Sequence, residues 1–172
     1  MHPDLPIEQL VRRKGMAFQF AFATEARELV PSRDEYLVNP SHKGLHVLAR
    51  NEEGLSVPLA VLREVYGASL EVAPPRVRLI EGVQVQEPIM HVRISLHADS
   101  REVIKQALRR RGAALTEEYR RSAHCVLRFE APMADLLGLA SELARLSAGT
   151  AKHWVALSHY ALVTRDPGGS AA

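Results

Sequence analysis

Several features that would point to an activity or a location are scarce or missing in this sequence. The single cysteine, Cys125, rules out an internal disulfide. No apolar run reaches the roughly 18 residues that span a bilayer, and the N-terminus has no apolar signal region. No Gly-x-x-x-x-Gly-Lys-Ser/Thr loop is present to hold nucleotide phosphates. We therefore expect a cytoplasmic protein in a reducing compartment, without nucleotide hydrolysis and without a membrane partner.

The net charge is also low, at +2, which is too weak by itself to indicate a nucleic-acid-binding protein. With 47% hydrophobic and 24% charged residues among 172, the composition fits one generous domain or two small ones. The positive charge is unevenly placed. Residues 87–163 hold 11 Lys or Arg against 8 Asp or Glu, whereas residues 1–86 hold 10 against 11. The excess therefore lies in the second half.

Two apolar patterns occupy the first 24 residues. One predicts a short helix within residues 1–15, because its apolar side chains are spaced to share one side: Leu5, Ile7, Leu10 and Val11. The cations of residues 12–14 would favour the negative end of that helix, and a docking patch is the alternative. From Met16 to Thr24, alternation predicts a strand with one buried face, formed by Phe18, Phe20 and Phe22. A base-stacking row is the alternative, and core burial is favoured.

Proline and glycine divide the rest of the first half. Pro31 and Pro40 interrupt any helix in residues 25–41, and Asn39-Pro40-Ser41 is typical of a turn. The predicted elements that follow are a strand over Lys43–Arg50, a helix over Leu55–Tyr66 with Pro58 in its first turn and Gly67 at its end, and strand-like alternation at Leu70, Val72, Val77 and Leu79 broken by Pro74-Pro75.

Residues 87–163 predict the order strand, helix, strand, strand, helix, strand. The predicted elements are a strand through Ile89, Val92, Ile94 and Leu96; a helix capped by Asp99 and Glu102, with a buried stripe of Val103, Ile104, Ala107 and Leu108, that stops at Gly112; strands over 113–121 and 123–131 joined at Arg121-Ser122; a helix from Pro132 to Gly149 with Leu136, Ala140 and Leu143 inward and Leu139 and Leu146 flanking; and a strand over Lys152–Val163. Residues 164–172 are predicted to be a flexible tail.

This order predicts a four-stranded antiparallel sheet with helices on one face, the ferredoxin-like split βαβ arrangement. Such a sheet leaves its other face bare. If Val155 and Leu157 point toward the helices, the bare face carries His91, Val126, Arg128, Trp154 and Tyr160. A large apolar ring there needs a cover, so we interpret these five residues as a partner-binding surface. The cover is the first half of the chain, a second copy in a homo-oligomer, or another partner.

The second half also resembles the last domain of elongation factor G over about residues 87–162. The resemblance is carried, in the family's order, by Glu87-Pro-Ile-Met-His-Val, by Val103-Ile104 to Arg110-Arg111-Gly112, by Ala131-Pro132 followed by Gly138, by Leu146-Ser-Ala-Gly149 and by Ser158-His159-Tyr160. One departure follows Gly149, where Thr150-Ala151 replaces the family's Arg-Gly. A ribosomal-RNA contact at that loop would be weakened here.

A weaker resemblance, to the third domain of elongation factor G, covers residues 16–80. It is carried by Leu59, Leu62-Arg63, Tyr66-Gly67, Leu70, Val72, Pro75 and Val77. That domain is also ferredoxin-like, but its first helix is not evident here. We therefore expect an α+β protein with an N-terminal helix over 1–15, a partial ferredoxin-like domain over 16–80, a linker over 81–86 and a ferredoxin-like domain over 87–163. The family's GTPase and fourth domains are missing, which excludes translocase activity.

The resemblance also implies a partner. In elongation factor G the last domain touches the stalk base of the large ribosomal subunit. A basic set on and after the first helix of the second half is therefore a candidate for binding ribosomal RNA phosphates: Arg101, Lys105, Arg109, Arg110 and Arg111. A solvated helix face is the alternative for each residue.

Catalytic and metal chemistry find little support in the sequence. No Cys-x-x-Cys exists, and His42 and His46 fall in a turn and a strand without a neighbouring glutamate. Cys125 is predicted to be a structural thiol. Ser158-His159 are sequence neighbours, which does not make a triad. We expect no cofactor, no metal and no enzyme. The leading hypothesis is a non-GTPase relative of elongation factor G that binds the ribosome or modulates translation, and the alternative is an interaction or ligand-binding module that uses the face around Trp154.

Overall fold

The computed structural model describes residues 2–163 and divides into two compact units, which meet in sequence between Arg78 and Leu79. The tail predicted over residues 164–172 lies outside the described residues. No helix in the described part of the chain is long and apolar enough to cross a membrane. Each unit contains its own antiparallel sheet and its own buried core.

Unit 1 is a complete ferredoxin-like unit. Its elements are β1 (Ile7–Arg13), α1 (Gln19–Leu29), β2 (Tyr36–Ser41), β3 (Gly44–Ala49), α2 (Glu52–Tyr66), β4 (Leu70–Val72) and β5 (Arg76–Val77). The strand order is β2-β3-β1-β4, with β5 also paired to β1, and every pairing is antiparallel. This order with two helices is the split βαβ arrangement. The helix that the sequence did not reveal is α1.

The helix predicted within residues 1–15 is wrong, because Ile7–Arg13 is the strand β1. β1 lies between β3 and β4 in the middle of the sheet. Ile7 and Val11 are fully buried on the helix-covered face, whereas Leu10 lies on the opposite face. Spacings of three and four residues fit a helix, but two of the same residues also fit one face of a strand. The predicted N-terminal helix is thus part of the sheet of unit 1.

The strand predicted over Met16–Thr24 is also wrong, since α1 starts at Gln19. The helix buries Phe22 together with the small residues Ala23 and Ala26. Phe18 and Phe20 stay exposed, so the predicted burial of all three phenylalanines holds only for Phe22. The buried residues are spaced as a helix requires, because Ala26 follows Phe22 by four residues and Ala23 by three. The more prominent phenylalanine alternation does not predict the element that forms.

The later elements of unit 1 follow the predictions more closely. The predicted strand before Arg50 is β3, and the predicted helix that ends at Gly67 is α2. Pro58 lies in the second turn of α2, not in the first as predicted, because the helix begins at Glu52. The turn predicted at Asn39-Pro40-Ser41 is wrong. Pro40 sits inside β2, which is an edge strand where a missing backbone N–H is tolerated.

Unit 2 repeats the same arrangement. Its elements are β6 (Gln86–His97), α3 (Arg101–Arg110), β7 (Ala114–Arg121), β8 (His124–Pro132), α4 (Met133–Leu136), α5 (Leu139–Leu146) and β9 (Lys152–Leu162). The strand order is β7-β8-β6-β9, again antiparallel throughout. The helices cover one face, where the largest buried side chains include Met90, Ile94, Ile104, Leu108, Leu127, Phe129 and Leu143. The other face, which we call the open face, is covered by none of the helices that unit 2 forms within residues 79–163.

Three local predictions about the helices of unit 2 are wrong. Val103, predicted in the buried stripe of α3, is 41% exposed. Asp99 does not cap α3 in a capping box, because it lies in a short 3-10 turn and its carboxylate is 3.0 Å from Nδ1 of His97. The second predicted helix is split into α4 and α5 by Gly138, whose φ of 75° is left-handed and suits glycine. As a result Leu139 is buried and Ala140 is exposed, whereas the sequence predicted Ala140 to face inward and Leu139 to flank the stripe.

Candidate functional site

Three of the five predicted RNA-binding cations make contacts within unit 2. Lys105, which is only 9% exposed, places Nζ 2.7 Å from Oε2 of Glu118 on the edge strand β7. Arg101 donates to the other oxygen of Glu118 at 2.8 Å and also contacts Glu102. The hydrogen bond from Lys105 and the two cations lower the pKa of Glu118. These cations fasten α3 to β7, and Lys105 is not on the exposed helix face where the sequence placed it.

Arg111 has a similar internal role beyond the end of α3. Its Nε is 2.6 Å from Oε2 of Glu142 on α5. Its Nη1 donates to the carbonyls of Asp135 and Leu137, at 2.8 and 2.9 Å. These carbonyls belong to the end of α4 and the break before α5. Arg111 therefore holds the broken second helix against α3.

Arg109 and Arg110 differ from the other three. Both are exposed, and neither has a carboxylate within 4.0 Å in the described part of the chain. They end α3, where positive side chains favour the negative pole of the helix. Of the five predicted cations, these two can reach an external phosphate without first losing an ion pair.

The open face carries the second candidate surface, centred on Trp154. Trp154 is 52% exposed, and the guanidinium carbon of Arg93 lies 5.3 Å from the centre of its ring. The two residues are register partners on β9 and β6. Tyr119, which is 63% exposed, pairs with Val126 near the edge of the sheet opposite β9. An open groove of about 460 Å³ runs beside Trp154. A smaller cavity of about 260 Å³, which shares Arg93, Glu117 and Arg128 with the groove, is lined by Tyr119 and Val126.

Two glutamates that line the groove contact a neighbouring basic or imidazole side chain. Arg128 donates to Oε2 of Glu117 at 2.9 Å, and Nδ1 of His91 lies 3.2 Å from Oε1 of Glu130. All of these side chains are substantially exposed or at the margin of the sheet. The structure therefore brings together four of the predicted partner-binding residues: His91, Val126, Arg128 and Trp154.

The fifth, Tyr160, does not lie on the open face. Met90 pairs with Leu157 but Ile89 pairs with His159, so Ser158 is an extra residue in β9. Because side chains alternate along a strand, such a bulge moves all later residues to the opposite face. Tyr160 is thereby paired with buried Pro88 on the helix-covered side.

The bulge also brings polar groups together without forming a catalytic triad. Oγ of Ser158 lies 3.0 Å from Nδ1 of His159 and donates to Oε1 of Glu130 at 3.1 Å. In a triad the carboxylate orients the histidine. Here Glu130 instead contacts the serine and His91. Adjacency in sequence therefore gave no triad geometry.

The other candidate chemical groups are placed as follows. Cys125 is fully buried in β8, and burial, followed by the charge of Glu118, raises the pKa of its thiol. No group of three or more His, Cys, Asp or Glu residues among residues 2–163 is arranged to hold a metal ion. His42 is in the β2–β3 turn, stacked on Phe20, and His46 is on β3.

Sequence reasoning missed Arg93, Glu117 and Tyr119 as parts of the open face. Their alternation with buried residues was visible, but their partners depend on strand register. Arg93 meets Trp154 because β6 is paired with β9, and Tyr119 meets Val126 because β7 is paired with β8. Only the register shows that these strands form one continuous surface.

Comparison with known proteins places unit 2 in a family. Residues 84–169, half of the chain, match the family described as Elongation factor G C-terminus. The chain is similar to Elongation factor G 2 of Hahella chejuensis, with 34% identity over 100 residues. That match covers 58% of this chain and 13% of the relative, so the chain spans only a small part of that protein's length.

A solved structure shares the fold over a larger part of the chain. A crystal structure of a protein from Thermus thermophilus matches 92% of this chain and 41% of its own chain, with a TM-score of 0.66. The sequence identity is 13%, so this likeness concerns the fold alone. The order of elements seen in units 1 and 2 is thus known from another protein.

Proposed function

Because the chain belongs to the elongation factor G C-terminus family, we propose that it binds the ribosome in the cytoplasm and modulates translation without hydrolysing GTP itself. The family relationship is the observation that carries the proposal, since it ties unit 2 to a translation factor. The proposed partner is the stalk base of the large subunit, through ribosomal RNA. The proposed role is binding and not catalysis.

The geometry of α3 supports a specific contact for this role. RNA phosphates attract arginine through charge-assisted hydrogen bonds, which position a protein on RNA without reading its sequence. Arg109 and Arg110 are exposed and have no carboxylate partner among the described residues. We assign the phosphate contact to these two arginines. Arg101, Lys105 and Arg111 serve the same surface indirectly, because they fix α3 in place.

A binding role also agrees with the chemistry of the described residues. The 172-residue sequence has no Gly-x-x-x-x-Gly-Lys-Ser/Thr loop. The Ser158, His159 and Glu130 side chains are not in triad order. We therefore propose that any effect on translation arises from occupancy of a ribosomal surface.

Co-sedimentation with ribosomes through a sucrose cushion tests this function. We expect the native chain to pellet with ribosomes at about 50 mM salt and to dissociate as salt rises, because phosphate contacts release counterions. The double variant Arg109→Glu/Arg110→Glu should lose most of the binding. It should also reduce the slope of log affinity against log salt by about two units, one for each contact.

A matched control is Arg33→Glu/Arg50→Glu, which makes the same charge change on exposed residues of unit 1. It should pellet like the native chain. Absence of ribosome association by the native chain at low salt would overturn the proposal. Equal losses in the two double variants would show that net charge, and not the end of α3, determines binding.

The open face favours a second candidate function, a protein-binding or ligand-binding role. The observation behind it is the half-exposed Trp154 beside an amphipathic groove whose charges already balance. Balanced charge disfavours a polyanion and fits a protein surface with aromatic and arginine contacts. A second copy of the chain is the simplest occupant, and the product would be a homo-oligomer.

The fluorescence of Trp154 can report self-association, because it is the only tryptophan in the sequence. Burial of its ring on self-association should shift its emission to shorter wavelength as protein concentration rises, while light scattering reports a dimer. Trp154→Glu should remain monomeric. A native chain that scatters as a monomer with constant emission up to about 100 µM, a concentration that would populate a dimer with micromolar Kd, contradicts the homo-oligomer.

A further inference from the structure

A basic pocket lies at one end of the unit 1 sheet and shares no residue with the two surfaces of unit 2 described above. It forms where β1 ends and the β2–β3 turn passes beside it. We define the basic pocket by Arg12, Lys14, His42 and Lys43, all exposed. These residues surround an open volume of about 440 Å³, and Glu71 is the one carboxylate among its lining residues in the described part of the chain.

The backbone around the basic pocket is held in place by specific hydrogen bonds. Gln19 accepts from the N–H of Arg13 at 2.9 Å and donates to the carbonyls of Arg13 and Met16, at 2.9 and 2.8 Å. Nε of Arg12 donates to the carbonyl of Lys43 at 2.9 Å, which joins the end of β1 to the hairpin. The cations are therefore carried by a fixed framework, which lowers the entropy lost on binding.

A close backbone approach fixes the hairpin in the same way. At Gly44 a Cβ atom would lie 2.3 Å from the carbonyl oxygen of Val11, and the residue has a φ of 134°. Only glycine allows the hairpin this near to β1. The close approach places Lys43 beside Arg12, although like charges repel.

The cations of the basic pocket outnumber its single lining carboxylate, Glu71, which lies opposite Arg12 in the β1–β4 pairing. In the described part of the chain, no carboxylate lies within 4.0 Å of Arg12, Lys14 or Lys43. Lys14 donates one hydrogen bond, to the carbonyl of Ala68 at 3.0 Å, which leaves its charge uncompensated. Three unpaired cations around one opening attract a polyanion. This contrasts with α3, where Lys105 and Arg101 share a carboxylate.

Two exposed aromatic side chains are next to residues of the basic pocket, although neither lines it. Phe20 stacks on His42 with ring centres 5.2 Å apart and an angle of 27° between the planes. Phe18 lies in sequence between the lining residues Met16 and Gln19 and is 84% exposed, although its ring would ordinarily be buried. Aromatic faces next to a cationic groove are typical of surfaces that bind single-stranded nucleic acids, where bases stack and phosphates meet cations.

We propose that the basic pocket of unit 1 binds a single strand of RNA. Phosphates contact Arg12, Lys14 and Lys43, and a base stacks on Phe18. The site is separate from Arg109 and Arg110 and gives the chain a second RNA contact. Only the choice of RNA over DNA rests on the proposed function, since the cations and aromatic side chains would serve either backbone.

Fluorescence anisotropy with the full chain and a labelled 12-nucleotide oligouridylate tests the proposal. Three phosphate contacts to a single strand predict a slope of about −2 for log affinity against log salt, which is a loss of about twentyfold between 50 and 200 mM. Lys14→Ala/Lys43→Ala should weaken binding about tenfold or more at 50 mM. Phe18→Ala should weaken it about fivefold or more through lost stacking.

The matched control removes the same number of charges from the opposite end of the unit 1 sheet. The control is Arg33→Ala/Arg50→Ala, at residues near the Tyr36–Ala49 end of the β2–β3 pairing. The basic pocket lies at the other end, beyond the Ser41–Gly44 pair. This control should bind the oligonucleotide like the native chain. Circular dichroism and thermal unfolding of each variant exclude loss of the fold, since every substituted side chain is exposed.

Three results would overturn the inference. They are no binding by the native chain at 50 mM salt, equal losses in the pocket and control variants, and native affinity in Phe18→Ala. The outcome is distinguishable from that of the ribosome proposal. Arg109→Glu/Arg110→Glu should keep oligonucleotide binding while losing ribosomes, so either proposal can fail while the other stands.

Discussion

Replacement of Arg111 by alanine should destabilise unit 2 without acting through any external partner. The substitution removes an ion pair to Glu142 and two hydrogen bonds to the carbonyls of Asp135 and Leu137. It leaves Glu142 without its cation and both carbonyls without this donor. Since α4 and α5 are separate short helices, they lose the side chain that joins them to the end of α3.

The size of the effect follows from the contacts and their exposure. A hydrogen bond to a charged group contributes about 1.5–3 kcal/mol, and three of them set an upper limit. The side chains of Arg111 and Glu142 are 23% and 26% exposed, so water compensates part of the loss. We therefore expect a decrease of about 2–4 kcal/mol in the free energy of unfolding. With a urea m-value of about 2 kcal/mol/M, the midpoint should fall by about 1–2 M.

Urea unfolding followed by tryptophan emission measures this directly, because the only tryptophan, Trp154, reports on unit 2 alone. Glu142→Gln should lose less than Arg111→Ala, since the amide still accepts a hydrogen bond. Arg109→Ala/Arg110→Ala is the matched control and should change stability by less than about 0.5 kcal/mol. A midpoint for Arg111→Ala that coincides with the native midpoint would refute the structural role assigned to this arginine.

Three further predictions concern single positions. The pKa of Glu118 is lowered in the folded protein, so its contribution to stability is present above its ordinary value of 4.5 and is lost as pH falls through the lower folded value. Glu118→Gln should therefore weaken the dependence of the unfolding free energy of unit 2 on pH in the acid range. An unchanged dependence would count against the ion pairs of Glu118. Gly44→Ala should destabilise unit 1 by about 3 kcal/mol or more, because the new Cβ would meet the Val11 carbonyl. Gly67→Ala, whose Cβ would have no atom within 4 Å, should cost about 1 kcal/mol of backbone strain. Hydrogen exchange of peptides from β1 and β3 distinguishes the two variants, and equal exchange would be the contrary result. Burial and then a hydrogen bond to a carboxylate raise the pKa of Tyr66 to about 12, so one tyrosine should ionise late in an ultraviolet titration, and Tyr66→Phe should abolish that late step; ionisation of all tyrosines near pH 10 would oppose it.

The sequence predicted unit 2 well because independent signals agreed there. Period-two alternation in β6 and β9, helical spacing in α3 and turn residues between the elements all favoured the same order. The main failures were local. The bulge at Ser158 has no sequence signal, and it alone moved Tyr160 to the opposite face.

In unit 1 the local signals conflicted, and tertiary context decided. The apolar residues of β1 fit a helix as well as a strand, and only pairing on both sides with β3 and β4 selects the strand. In α1 the phenylalanine alternation suggested a strand, but the chain buries Phe22, Ala23 and Ala26 at helical steps. Phe18 and Phe20 are exposed, so the phenylalanine alternation does not mark a buried face.

The predicted RNA-binding set is divided by tertiary contacts that composition cannot reveal. Arg101 and Lys105 looked like exposed cations because the sequence shows Glu102 as the only acidic residue near them on the helix. Their partner, Glu118, comes from a strand that follows in sequence and packs beside the helix. Whether a cation is available to an external phosphate is thus determined by tertiary contacts, which distinguish Arg109 and Arg110 from their neighbours.

The pairing of β6 with β9 has a mechanical consequence for unit 2. The first and last strands of the unit are antiparallel neighbours, joined from the Gln86–Leu162 pair inward, and the N–H of Val163 donates to the carbonyl of Val85 just outside them. A force that pulls these two ends apart would load the hydrogen bonds one after another and not all together. Unit 2 should therefore unzip under a weak pull along this direction. A partner that pulls on residues 85 and 163 would detach β9, and Trp154 with it, before disturbing the helices.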